Sequence, residues 1–312
     1  MPQPHSIAAA DVGTGLAGRP RVRLTHPAGG TADLHAHGGQ LLSWHHPAGE
    51  VLFLSARTDA HQERHGGIPV IFPQFGKGFG PTAGSLPQHG FARDQDWLVR
   101  SHGTDDTGRA TATLFLESTP ELRQLWPHDF SIELTAALGE ELTLTMQVFN
   151  RGAAPMPFSA GLHTYYRVSD VRTAQIEGLQ GLRYRDNLKD WAESTETAPE
   201  LVPDGETDRV YLGSPLRLRL HDGTRCIRIE NHGFANVVVW NPGPGSDPKY
   251  DFAPGEWSRF VCIEPATVFS PTVLAAGASW RGEQVVAVDA GYNTAMRDER
   301  DRDREMREER TS

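Results

Sequence analysis

Apolar and polar residues alternate through short segments of this chain, and that two-residue period limits the possible folds more than any other feature. In Glu141 to Asn150, Leu142, Leu144, Met146 and Val148 share one face, while Glu141, Thr143, Thr145 and Gln147 share the other. This is the period of a half-buried strand. Asn150-Arg151-Gly152 then supplies residues suited to a turn. Similar segments recur at Ala110 to Leu116, Ser131 to Leu138, Leu216 to Leu220, Cys226 to Glu230, Asn236 to Trp240 and Arg259 to Glu264. Glycine (32) and proline (22) punctuate them, so no helical period is sustained for long. Many short strands between turn clusters predict an all-β chain, a large antiparallel sandwich or barrel. One short helix is expected at Pro120 to Trp126, with Thr119 as its N-cap and Pro120 at its first position.

No linker or internal repeat divides the 312 residues. Residues 1–20 are expected to be a flexible N-terminus, 21–291 a single domain, and 292–312 a charged tail, disordered or a frayed helix. From Met296 to Glu309 that tail is nearly all Arg, Asp and Glu, with no apolar stripe for docking. The net charge of −10 argues against nucleic acid or an anionic membrane as partner. No apolar run is long enough to cross a bilayer, and Met1 to Gly18 lacks the pattern of a signal peptide. Cys226 and Cys262 are too few for a disulfide framework and read as free thiols. The expectation is a cytoplasmic protein. If it binds an anionic metabolite, a few local cations must do the work, which makes individual arginines worth following.

Four stretches carry the candidate chemistry: Arg64 to Gly76 (RHGGIPVIFPQFG), Leu86 to Arg93 (LPQHGFAR), Phe158 to Val168 (FSAGLHTYYRV) and Phe260 to Ala266 (FVCIEPA). Glu264 ends an apolar run, and Pro265 after it is expected to mark the strand's end, so the carboxylate is expected to be partly buried. Taken alone it reads as a structural carboxylate. Desolvation would nonetheless raise its pKa toward that of a useful base. His163, on a strand face shared with Tyr165 and Arg167, taken alone reads as a hydrogen-bonded core histidine, yet it is also the side chain best suited to donate a proton near neutrality. Paired across one sugar-sized cleft, the two would supply an acid and a base. Gly66-Gly67 would let the backbone approach a ligand, and Arg64 and Arg93 offer forks that suit phosphate.

Other candidates carry less. His35, His37, His45 and His46 lack the spacing of a metal site and read as exposed loop or strand residues, so no metal is expected. Cys262 shares a strand face with Glu264 but reads as a small buried filler. No nucleotide motif follows a strand, so no cofactor is expected.

In this order the four stretches resemble the glucose-6-phosphate 1-epimerase (hexose-6-phosphate mutarotase) branch of the aldose 1-epimerase family. LPQHGFAR and the GLHTYY/CIEPA pair are the specific parts, and ETDRVY at Glu206 to Tyr211 and VVVWNP at Val237 to Pro242 add to them. The likeness covers roughly Leu34 to Val286. It implies a large antiparallel β-supersandwich that interconverts the anomers of a hexose 6-phosphate, acting as a monomer on a small sugar phosphate. It also implies that His163 is the general acid and Glu264 the general base, and that Gln88, Arg93 and Asp208 bind substrate, with His89 a further site histidine. One departure stands out. The family usually has an arginine immediately before the Gly-Gly, whereas here His65 occupies that place and Arg64 precedes it. Either could contact the phosphate. Two rivals remain: a mutarotase of unphosphorylated aldoses, and a carbohydrate-binding module that has lost catalysis. A glycoside hydrolase would usually need a second carboxylate beside the bond.

Overall fold

The computed structural model describes residues 8–58, 65–78, 86–250, 252–269 and 271–290. Strands dominate it, in antiparallel sheets. The strand read at 141–150 runs Leu142–Asn150, with Leu142, Leu144, Met146 and Val148 buried and Thr143, Thr145 and Gln147 half-exposed. Its end is the expected turn. Asn150 Oδ1 accepts the Gly152 N–H at 2.9 Å, while Asn150 Nδ2 donates to the carbonyls of Ala154 and Leu274. This strand lies near the middle of a nine-stranded sheet, between Phe130–Leu138 and Ser279–Ala290. The expected helix forms at Pro120–Leu125, its first turn capped by Thr119 Oγ1 accepting the Leu122 N–H at 3.3 Å.

A second, eight-stranded sheet carries the residues of interest. Along it lie Ala192–Thr195, Arg183–Asp186, Thr207–Tyr211, Asn236–Asn241, Phe260–Ala266, Gly161–Leu162 and Val70–Ile71, and Tyr165–Arg167 pairs with Phe260–Ala266 off this path. One face of this sheet joins the main core: Val237, Val239, Val261, Ile263 and Tyr166 pack there with Leu144, Ile229 and other residues of the nine-stranded sheet. Period-2 alternation sends Val238, Trp240, Cys262, Glu264 and Tyr165 to the opposite face. A buried hydrogen bond ties the two sheets together, from Thr164 Oγ1 to Gln284 Oε1 at 2.7 Å.

Three expectations need amending. The first twenty residues are not uniformly flexible: Ala9–Thr14 pairs with Pro20–His26 in a five-stranded sheet. That first strand also docks on Leu98–Thr104, where the His102 ring and Thr104 hydroxyl reach the carbonyls of Ala10 and Ala8. Residues 1–7 and the charged tail from 291 onward lie outside the described residues. Second, His35 and His46 are buried, and burial pushes the His35 imidazole down to about 4. His37 is half-buried against Asp96 at 2.7 Å, so only His45 fits the exposed reading. Third, Gly66 and Gly67 are required by packing, whatever else they serve. A Cβ on Gly67, at φ +62°, would meet the Leu41 carbonyl oxygen at 2.3 Å, and one on Gly66 would meet that of Phe53 at 2.5 Å. No described helix is long and apolar enough to cross a membrane.

Replacing Thr164 with valine keeps the shape of the side chain but leaves the buried Gln284 carbonyl without this donor. We expect Thr164→Val to lower stability by about 1–3 kcal/mol, read as a lower urea midpoint with an unchanged slope. An unchanged midpoint would show that the link between the sheets contributes nothing.

Candidate active site

The site begins with a proline in a strand. Gly161 pairs with Ala266 and Tyr165 with Cys262, so one antiparallel register runs through both short strands. In that register the hydrogen-bonded positions are occupied by the Thr267 N–H to Ala160 carbonyl bond at 2.8 Å and the Ile263 N–H to Thr164 carbonyl bond at 3.2 Å. The position between them falls to Pro265, opposite Leu162, and proline has no N–H to give. The Leu162 carbonyl accepts the Thr164 N–H instead, at 2.9 Å, closing a three-residue turn. The strand expected to run continuously through His163 is therefore interrupted there. Phe260–Ala266 in turn continues one residue past Pro265, which does not end it. Face alternation survives the break: Thr164 points to the core, and His163 stacks on Tyr165 with ring centroids 4.8 Å apart and planes at 11°.

The same register sets His163 opposite Glu264 at a position without backbone hydrogen bonds, where side chains approach most closely. His163 Nδ1 lies 3.3 Å from Glu264 Oε1. The two do not face one another across the width of a cleft; they stand side by side on one sheet face. Glu264 is 1% exposed and His163 8%. Burial raises the Glu264 pKa well above the carboxylate range, with the Asp208 charge adding to the rise. Burial also lowers the His163 pKa well below its ordinary value, aided by His89, Arg93 and His65. Both effects favour the uncharged forms, a neutral imidazole beside a carboxylic acid. This pair holds the same single proton as imidazolium beside carboxylate.

Other elements bring the remaining candidates to the pair. His89 sits in a left-handed turn, φ +68°, followed by Gly90 at φ +73°. A Cβ on Gly90 would strike the Phe72 carbonyl at 2.2 Å, so the turn is pressed against the chain that precedes it. The left-handed conformation costs a histidine energy, and the strain is retained beside a reactive pair. His89 Nδ1 accepts the Gly76 N–H at 3.3 Å, and its ring meets the His163 ring edge to face at 5.5 Å. Burial, with Arg93, lowers the His89 pKa to about 3. The ring is then neutral, with Nδ1 facing the Gly76 N–H and Nε2 lying 3.5 Å from the Gln88 side-chain amide nitrogen. Arg93 Nη2 donates to the Gln88 carbonyl at 2.7 Å, fastening this loop, and its charge is felt at His163, His89 and Tyr165. His65 packs its ring against Phe252 at 5.0 Å.

Asp208 lies across the sheet, opposite Trp240, which is itself opposite Cys262. Its Oδ2 accepts from Asn187 Nδ2 at 2.6 Å, and burial raises its pKa. The fold thus brings His89, Arg93 and His65 to bear on His163 and Asp208 on Glu264, with Gln88 exposed beside His89. Arg64 lies outside the described residues. The half-exposed Trp240 stands edge-on to both His163 and Tyr165, a site residue that the sequence marks only through its strand segment and the VVVWNP motif. Its alternation with Val238 was the signal that placed it on the reactive face. Nothing in the sequence linked Asn187 to Asp208.

The chain matches the model of the aldose 1-epimerase family over residues 20–287. A protein of Cenchrus ciliaris named "Putative glucose-6-phosphate 1-epimerase" is 34% identical over 282 residues, 86% of this chain and 84% of that one. A protein of Salmonella typhimurium with the same name is also 34% identical, over 77% of this chain and 81% of its own. Among solved structures, a "putative mutarotase" from Salmonella typhimurium superposes with a TM-score of 0.80 at 28% identity, over 93% of this chain and 96% of that one. A galactose 1-epimerase from Lactobacillus acidophilus shares the fold with a TM-score of 0.72 at 12% identity, over 91% and 99% of the two chains. With that match across nearly the whole described fold, the chain belongs to the aldose 1-epimerase family of isomerases.

Proposed function

We propose that the protein interconverts the α and β anomers of a hexose 6-phosphate, glucose 6-phosphate first among them, with His163 as general acid and Glu264 as general base. The observation that carries this reading is the 3.3 Å contact between His163 and Glu264. The anomeric hydroxyl and the ring oxygen are bonded to the same carbon, so an acid and a base held this close together can reach both at once. Glu264 takes the proton of the anomeric hydroxyl while His163 gives one to the ring oxygen. The ring C–O bond breaks, the aldehyde forms, and rotation about C1–C2 presents its other face. Closure then reverses both transfers. Electrons and protons balance over the cycle, and the pair returns to its starting state.

The neighbours fit subsidiary roles. His89 offers a ring nitrogen to a sugar hydroxyl, Asp208 accepts from sugar hydroxyls, and Gln88 reaches in beside His89. Arg93 and His65, which both bear on His163, are the candidates for phosphate among the described residues, and Arg64 shares that assignment on sequence alone. The relatives' names support the phosphorylated substrate. The histidine before Gly66-Gly67 favours the second reading, a mutarotase of unphosphorylated aldoses, because imidazole is a weaker phosphate ligand than guanidinium.

Each proton-transfer group contributes on the order of 10²–10⁴-fold, so His163→Asn and Glu264→Gln should each slow anomer exchange by about that factor with the circular dichroism spectrum unchanged. Polarimetry or exchange NMR reads the rate, and full activity in both variants refutes the assignment. Arg93→Ala should slow glucose 6-phosphate at least tenfold more than it slows glucose, and this preference should fade with salt. Equal losses on both substrates favour the second reading.

The pH profile follows from the shared proton. A second proton must be forced onto His163, whose pKa is depressed, so the acid limb should fall well below 6.5. Removing the only proton means ionising Glu264, whose pKa is raised, so activity should hold well above 4.5 before an alkaline limb sets in. The profile of kcat/KM should therefore show an acid limb displaced below the ordinary histidine value and an alkaline limb displaced above the ordinary carboxylate value. An acid limb at or above the ordinary histidine value contradicts the shared-proton account.

A further inference from the structure

Cys262 has no part in the reaction above, yet the sheet puts it on the reactive face beside the pair. It stands opposite both Tyr165 and Trp240, two residues before Glu264 on the same strand. A donor atom from each of His163, Cys262 and Glu264 lies within 4.8 Å of the others. All three are buried, Cys262 fully so. Two of their polar atoms, His163 Nδ1 and Glu264 Oε2, make no proper hydrogen bond, although buried polar atoms are normally satisfied. Cys262 forms no disulfide.

We infer that these three side chains form a binding site for Zn²⁺ or a similarly thiophilic divalent cation, and that metal bound there holds the enzyme inactive. The ligand chemistry selects the ion: sulfur, imidazole nitrogen and one carboxylate oxygen suit zinc and disfavour magnesium or calcium, which prefer all-oxygen shells. Charge selects it too. The two positive charges of the ion are cancelled by one thiolate and one carboxylate, and imidazole ligates in its neutral form, so the occupied site is electrically neutral where bare charge is costly. Ligands about 2.0–2.3 Å from a tetrahedral ion lie roughly 3.3–3.8 Å apart, so the observed cluster closes by at most about 1.5 Å. Three protein ligands leave a fourth position for water or a sugar hydroxyl. Metal there occupies the lone pairs that the acid and base need, which makes the site inhibitory. The inhibition rests on the function proposed above; the binding does not.

Cobalt(II) alone is the probe. The full chain, stripped with chelator, should bind one Co²⁺ with a thiolate-to-cobalt charge-transfer band and the d–d absorption of a tetrahedral site, both bleached by Zn²⁺. Cys262→Ser should abolish the charge-transfer band and weaken binding by roughly 10–100-fold or more. Cys226→Ser, altering the other buried thiol, should keep the band. Circular dichroism establishes that both variants fold, and Cys262→Ala provides a second test of the ligand. Stoichiometric Zn²⁺ should suppress anomer exchange, and chelator should restore it. No cobalt–thiolate band in the unmodified chain, or a band that survives Cys262→Ser, overturns the site. Full exchange activity at zinc saturation overturns the inhibition. A band from a chain that never accelerates anomer exchange upholds the site and rejects the proposed function, whereas exchange without a band does the reverse.

Discussion

The reactive pair depends on one register, that between residues 160–167 and the strand Phe260–Ala266. Antiparallel pairing alternates hydrogen-bonded and open positions, and this register gives His163 and Glu264 an open one, where side chains come closest. A shift by one residue would send either group into the main core, since successive side chains point to opposite faces. Pro265 adds a local break. Without its donor, the Leu162 carbonyl turns to Thr164, and the backbone bends at His163. Thr164 is then anchored to Gln284 in the opposing sheet, which fixes the bend from behind.

Burial supplies the chemistry that the register positions. A carboxylate and an imidazole at the surface would each titrate near its ordinary value and exchange protons with water. Against the sheet, desolvation pushes the two pKa values toward each other's usual territory, which favours the uncharged form of each. The Arg93 charge bears on His163, while that of Asp208 bears on Glu264. The strained turn at His89 fits this picture: its backbone occupies a region a histidine seldom adopts, and the outcome is a neutral ring held edge to face against His163.

Much of the fold was legible because strand burial writes itself into sequence with a period of two. Leu142 to Val148 showed it directly, and Thr119-Pro120 announced the helix by capping chemistry alone. The errors came where side-chain identity was read without partners. His35 looked exposed because nothing local revealed the sheet that covers it. Gly66-Gly67 looked suited to a ligand because glycine permits any close approach, and nothing local showed the approach to Leu41 and Phe53. Pro265 was read as a strand end on the rule that proline cannot join a ladder. The strand carries on because the missing bond falls where its partner turns.

The sequence by itself determined the alternation, the all-β class and the set of unusual side chains, since these are local properties of residue type and spacing. It also put Cys262 and Glu264 on one face, because that needs only two positions on one strand. What it left open was every relation between distant segments. That His163 lies opposite Glu264, that Asp208 lies two strands from Cys262, and that Asn187 holds Asp208 were decided only by the tertiary fold. Register between strands is set by the summed packing of whole sheet faces, and no short stretch of sequence contains that sum.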